Sequence, residues 1–541
     1  MRNRDFAIFT ALVVIATAYV LKAEALSMPY IIGRTFLRMV AAYLVSLVFS
    51  IVIGVYVAHN KNAFNVIFPV LDILQSVPVL GFLPFAVLFI INTIPVFGSE
   101  VSTVFLIFTS MTWAIIFNVI EGVRSIPSDI RDAARLNGIT GANYLFQIVL
   151  PAIYAPVISG SITGWGGGWY FLVAGEYVTF GKLPPYVLPG IGSFIANSAY
   201  AGNIIHSLLG MCILAWIVLF MNNFVWGPLL ARAGKFGYGQ TASGEEYQTS
   251  QENRITRSIN QLYDRMRTFV MKFLMKPTSM IMDFLGLAPA NNIEQSAGLT
   301  VYDFAVMAAV IILFLIVFFT SKMTVDNLIM TFSYALKTFF RIFVAYAIAV
   351  LWTVSFAVYA ARNKKLMRIF MPIFDVAQSI PAIAVFPIIV VFVIKIVGGD
   401  TGIELASLLL LLTGTQWYLL FNVIRAIQLL PSDIIEVSSI LKLKLMDKLR
   451  YILLPAILPT FVIGSMQAIG GAWNATIISE YIQYQDKVYY TPGIGYLLDK
   501  AAANGDVAAI LLDVLVMIGI IVFLNKFVWK KALRRAELYK F

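Results

Sequence analysis

The chain has 541 residues, of which 60% are hydrophobic and only 12% charged, a balance that excludes a soluble globular fold and requires many bilayer crossings. Its net charge of +11 does not indicate nucleic acid, because the Lys and Arg residues lie mainly in short segments beside apolar runs, as in cytoplasmic flanks of membrane proteins. The lone Cys212 excludes an intramolecular disulfide and a cysteine metal cluster.

Met1 to Ala25 has the layout of a secretory signal, with Arg2 and Arg4 ahead of an apolar stretch and an Ala-Glu-Ala end. We expect it to stay as a first span, since an equivalent helix opens the second half, where no signal peptidase would meet it. Apolar runs able to cross roughly 30 Å of hydrocarbon lie at 6–22, 36–58, 78–96, 101–120, 150–175 and 204–226. Six more lie at 302–320, 338–360, 380–397, 404–423, 452–478 and 507–529. The expected fold is an all-α polytopic membrane protein of about 12 transmembrane helices: a six-helix half (1–230), a cytoplasmic linker (231–300) and a second six-helix half (301–541).

The halves are copies. RTFLRMVAAY from Arg34 aligns with KTFFRIFVAY from Lys337, and PVLDILQSVP from Pro69 with PIFDVAQSIP from Pro372, at an offset of 303. From Phe117 and Phe421 to Glu176 and Glu480 the offset is 304, returning to 303 at Pro189 and Pro492. An even number of spans per half makes the repeats parallel, related by an axis along the membrane normal. Basic residues in the loops after the second spans, Lys61 in one half and Arg362, Lys364, Lys365 and Arg368 in the other, and in the tail, Lys530, Lys531, Arg534 and Arg535, place both termini in the cytoplasm. Within the linker, Ser243 to Asn253 reads as a flexible connector. Ile255 to Leu285 has the spacing of an amphipathic helix on the inner leaflet.

No catalytic constellation is present. His59 and His206 fall on opposite sides of the membrane in this topology and cannot share a metal. Ala233-Gly234-Lys235-Phe236 lacks the first glycine and the hydroxyl of a phosphate loop. Each half instead carries a polar helical element between its fourth and fifth spans, Ser128 to Pro151 and Ser432 to Pro455. Ser128 and Ser432 are candidate N-caps, Asp129 and Asp433 favour the helix dipole, and Gly138 suits a left-handed stop. Ala133 and Ala134 leave room for another protein to approach.

This element resembles the EAA motif of the membrane subunits of ABC importers. Asp132-Ala133-Ala134 is followed after three residues by Gly138 and after nine more by Ile148-Val149-Leu150-Pro151. The second copy keeps Glu436 and the end at Pro455, but has Val437 and Ser438 for the alanines and Lys442 for the glycine. Gln-Ser-x-Pro before the third spans, Trp169 and Trp473 ahead of the two Glu-Tyr pairs, and the Pro-Gly-Ile-Gly segments are similar to the permease branch for nitrate, sulfonate, taurine and bicarbonate. The resemblance implies two permease halves fused in one chain of a cell membrane, one copy per complex. It further implies two ATPase subunits docked on the coupling helices, an external binding protein, and ATP with Mg held by those subunits, no cofactor in this chain.

Candidate pathway or gate residues are Gln75 and Gln378, able to hydrogen-bond across helices or to substrate, with Trp169, Trp473, Glu176 and Glu480. The glutamates either act within the spans or are hydrated at the outer surface; the tryptophans either line the route or pack. The competing class, an ATP-independent secondary transporter on a parallel repeat, calls for ionisable groups near mid-span.

Overall fold

The structure, a computed structural model, describes residues 3–76, 96–180, 183–233, 301–320, 324–361, 363–380, 396–428, 444–484 and 487–537, with a few short stretches between them. The first half runs α1 (Asn3–Leu21), α2 (Met28–His59), α3 (Lys61–Ser76), α4 (Gly98–Arg124), α5 (Ser128–Leu136) and α6 (Leu150–Glu176). An antiparallel hairpin of β1 (Tyr177–Phe180) and β2 (Leu183–Val187) then leads to α7 (Ile191–Tyr200) and α8 (Ile204–Met221). The second half repeats this order as α9 (Val301–Thr320), α10 (Val325–Ala360), α11 (Lys364–Ser379), α12 (Gly399–Gln428) and α13 (Leu454–Glu480). The hairpin of β3 (Tyr481–Tyr484) and β4 (Lys487–Tyr490), α14 (Ile494–Ala503) and α15 (Val507–Leu524) complete it.

Among the described residues, eight helical spans are long and apolar enough to cross a membrane, and shorter apolar helices, Phe6–Leu21 and Met307–Thr320, open the halves. The chain is therefore an all-α polytopic membrane protein built as two repeats. The expected third spans, 78–96 and 380–397, lie almost wholly outside the described residues, as does the linker from 234 onward. Also outside are Ser432, Asp433, Glu436, Val437, Ser438 and Lys442 of the second coupling element.

The stretches after the second spans read as loops in the sequence, yet they fold as helices α3 and α11. Each is opened by an asparagine that satisfies free N–H groups of the first turn. Asn60 Oδ1 accepts from the N–H groups of Asn62 and Ala63 at 2.9 and 3.0 Å, and Asn363 Oδ1 from Lys365 and Leu366 at 3.0 and 3.2 Å. These helices cross over: α3 packs on α9, α13 and α15 of the second half, and α11 on α6 and α8 of the first. Each half thus lends one helix to the other.

Within a half, α4 and α6 approach closely because glycine leaves no side chain between them. A Cβ on Gly164 would lie 2.8 Å from the Met111 carbonyl oxygen, and Gly471 of α13 faces the carbonyl of Gly414 on α12 in the same way. The chain reaches α6 and α13 through wide π turns, Leu145–Val149 and Leu449–Leu453. Pro151 and Pro455 follow in the first α-helical turn. A proline ring collides with the carbonyl four residues back in regular helix, and the wider winding relieves that collision. Gly164→Leu is expected to force α4 and α6 apart and cost about 1–3 kcal/mol. Gly33→Leu, where a Cβ would meet nothing within 4 Å, should leave stability unchanged. Thermal unfolding of the detergent-solubilised protein separates the two.

Candidate functional site

The first of the two polar elements, in which ATPase coupling is expected, is a short exposed helix rooted in the span core. Pro127, with extended backbone (φ −57°, ψ 145°), precedes α5 directly, so Ser128 lies inside the helix and makes no cap bond. Its hydroxyl instead donates to Asp129 Oδ1 at 3.3 Å, and the expected serine N-cap is not formed. Asp129 occupies the first turn, as anticipated. Gly138 has φ +65° and ends the helix with two closing bonds: its N–H donates to Arg135 O at 3.1 Å, and that of Ile139 to Ala134 O at 2.9 Å.

The two alanines face opposite ways. Ala134 is buried with Ile126, Tyr144, Leu145 and Ile148, so it roots the element and offers a partner no surface; the space foreseen there belongs to the chain's own core. Asp132, Ala133 and Gly138 are exposed, and Leu136 is 89% exposed. Asp132 pairs with Arg135 one turn on, at 3.5 Å. The His59 ring meets the Tyr144 ring edge-on at 5.7 Å and ties the end of α2 to the same element.

At the other end of the spans, Glu176 and Glu480 are neither hydrated nor facing open space: both are 0% exposed. Glu176 accepts from Thr35 Oγ1 at 2.8 Å, Arg38 Nη1 at 2.7 Å and the Gly192 N–H at 2.7 Å. Arg38 also donates to both oxygens of Glu100, at 2.6 and 2.9 Å, and to the Pro189 carbonyl at 2.9 Å. Arg34 pairs with Glu100 as well. The second half repeats the arrangement. Glu480 accepts from Thr338 at 2.7 Å, from Arg341 and from the Gly495 N–H at 2.7 Å, and Arg341 donates to Glu404 at 2.7 and 2.9 Å.

This network explains the Pro-Gly-Ile-Gly segments. A Cβ on Gly190 or Gly493 would overlap the carboxylate of Glu176 or Glu480. Gly190 has an ordinary extended φ of −177°, so the requirement is for space and not for a special backbone conformation. The copies differ nearby: Asp499 on α14 takes the place of Ala196 on α7, and burial pushes its carboxyl up to about 7.

Trp169 and Trp473 are fully buried, each within its own half's core, beside Ile107 and Met111 in one and Leu411 and Ala472 in the other. They pack. Gln378, by contrast, lies at the seam between the halves, where a Cβ on Gly166 would meet its side chain at 3.8 Å. Gln75, its equivalent, is half-buried near the end of α3. Sequence reasoning missed most of this seam. Ser159, Thr163, Gly166 and Tyr170 recur at helical spacing along α6. Ser159 Oγ accepts from Arg425 of the other half at 2.9 Å, and Tyr170 packs against Leu410, as do Ile478 and Tyr489 of the second half. On α13 the equivalent positions include Gln467, which is exposed and accepts from Asn422 at 3.1 Å.

Arg38→Ala strands the Glu176 carboxylate, and is expected to destabilise the protein by about 3–5 kcal/mol. Arg34→Ala, at the more exposed edge of the same network, should cost no more than about 1 kcal/mol. Unfolding midpoints in detergent measure both.

A family described as "Binding-protein-dependent transport system inner membrane component" matches residues 50–225 and again 353–528. The chain is 27% identical over 194 residues to the nitrate import permease protein NrtB of Leptolyngbya laminosa, covering 36% of this chain and 65% of that protein. It is 26% identical over 188 residues to the bicarbonate transport system permease protein CmpB of Synechococcus elongatus, covering 35% and 63%. To the taurine transport system permease protein TauC of Escherichia coli it is 24% identical over 168 residues, covering 31% and 58%. The matched region spans less than two thirds of each of these relatives. With the family matching twice, at the same place in each repeat, the chain belongs to the inner membrane components of binding-protein-dependent transport systems.

Proposed function

We propose that this chain is the complete membrane-spanning permease of an ATP-driven importer for a small anion of the nitrate, bicarbonate or sulfonate kind. The observation that carries the reading is α5: a rigid helix, closed by Gly138 and rooted by Ala134, that presents Asp132, Ala133 and Leu136 to a partner. Two ATPase subunits dock there and on the element around Glu436, holding ATP and Mg outside this chain. A binding protein delivers solute at the hairpin end. In this reading the coupling elements and both termini face the cytoplasm, and one chain serves each complex.

Permease membership favours this over a secondary transporter, and the two buried arginines add nothing to the rival reading. Arg38 and Arg341 are already neutralised by glutamates at the hairpin end, away from the mid-span position that ion coupling requires. Co-purification of the full chain with two ATPase subunits tests the proposal, and solute uptake by vesicles holding the chain without any ATPase overturns it.

Leu136→Asp and Gly138→Arg are expected to weaken ATPase association about tenfold or more without preventing membrane insertion. The glycine variant also strains a left-handed position by about 1 kcal/mol. Substitutions at Asp132 and Glu436 should reduce coupling unequally, because the second element replaces the alanines and glycine of the first. ATP hydrolysis and uptake by the assembled complex measure these effects.

A further inference from the structure

The seam holds a cation whose counterpart in the other copy is an acid. Arg425 sits in the last turn of α12, and the aligned residue at the end of α4 is Glu121. Both are exposed. Arg425 reaches across the halves to donate from Nη2 to Ser159 Oγ at 2.9 Å, and among the described residues it forms no ion pair.

A neutral hydroxyl occupies one of the five N–H groups of a guanidinium. The rest of the fork suits a planar or tetrahedral oxyanion, which accepts two parallel bonds. Polar neighbours lead to it. Asn422 lies one turn earlier on α12 and donates to Gln467 on α13 at 3.1 Å, while Thr163, exposed on α6, lies one turn beyond Ser159. The equivalent first-half position carries Glu121, a charge that repels an anion where Arg425 attracts one.

We propose that Arg425 is an anion-contacting residue of the seam, held across the two halves by Ser159 and able to turn its guanidinium to the oxygens of a passing anion. This rests on the importer reading above and adds the residue and the sign of the solute.

The test uses cells carrying the full transporter with labelled nitrate, bicarbonate and taurine as probes, and ATP hydrolysis by the purified complex as a second readout. Arg425→Gln should lower maximal uptake of the transported anion about tenfold, the scale of one charge-assisted hydrogen bond. The half-saturating concentration, set by the binding protein at the far end, should not move, and Arg425→Lys should restore most of the rate. Wild-type uptake by Arg425→Gln overturns the assignment, as does equal loss in the Lys and Gln variants with less assembled complex, which marks a structural contact. If the wild-type complex moves only uncharged solutes, the anion reading of the importer falls too; if it moves an anion that Arg425→Gln moves equally well, the importer reading stands and the assignment alone fails.

Discussion

A charge taken out of water must be paired where it lies, and much of the hairpin end follows from that constraint. Arg38 and Arg341 sit inside second spans, so their guanidinium groups require carboxylates from other helices: Glu100 and Glu176 in one half, Glu404 and Glu480 in the other. Each carboxylate at the end of α6 or α13 then fixes the start of α7 or α14 through a backbone N–H, that of Gly192 or Gly495. Thr35 and Thr338 add a second tie: each hydroxyl donates to the glutamate and accepts the N–H of Ile191 or Ile494. Three spans and a short helix are locked at one level, while α5 lies at the far end of the first-half helices. In the proposed importer, a push on α5 would act on spans whose opposite ends are held.

Local features were the most legible in the sequence. Gly138 declares its backbone conformation, Pro151 and Pro455 mark the start of long helices, and the near-constant offset exposes the repeat. Partnership was not legible. Glu176 stands out as an ionisable residue at the end of an apolar run, but Arg38 lies 138 positions away, and nothing local links them. The signal was present in the paired stretches from Arg34 and Lys337, where an arginine recurs inside an apolar run at the same place in both copies. Helices α3 and α11 were hidden for a different reason: Lys61, Lys364 and Lys365 read as a charged loop, and the capping role of Asn60 and Asn363 emerges only from the hydrogen bonds. The direction of a side chain was equally opaque, since Ala133 and Ala134 are adjacent and alike, and only packing tells which is buried.

The copies agree where backbone geometry or buried charge leaves no choice and differ elsewhere, at buried and exposed positions alike. The arginine, the two glutamates, the threonine and the glycines of the hairpin end are all kept. Thr491 replaces Leu188 and joins the network by donating to Glu404. Lys442 replaces Gly138 and Arg425 replaces Glu121. Fusion in one chain permits such differences, because a protein assembled from two identical subunits changes both surfaces at once.

The exchanged helices carry a consequence for either half alone. With α3 packed on α2 of its own half and also on the second half, and α11 on α12 and also on the first half, an isolated half would expose the apolar surface that its partner's helix covers. Each half therefore completes the packing of the other, and a cut between them would leave two apolar seams open to lipid instead of one closed bundle.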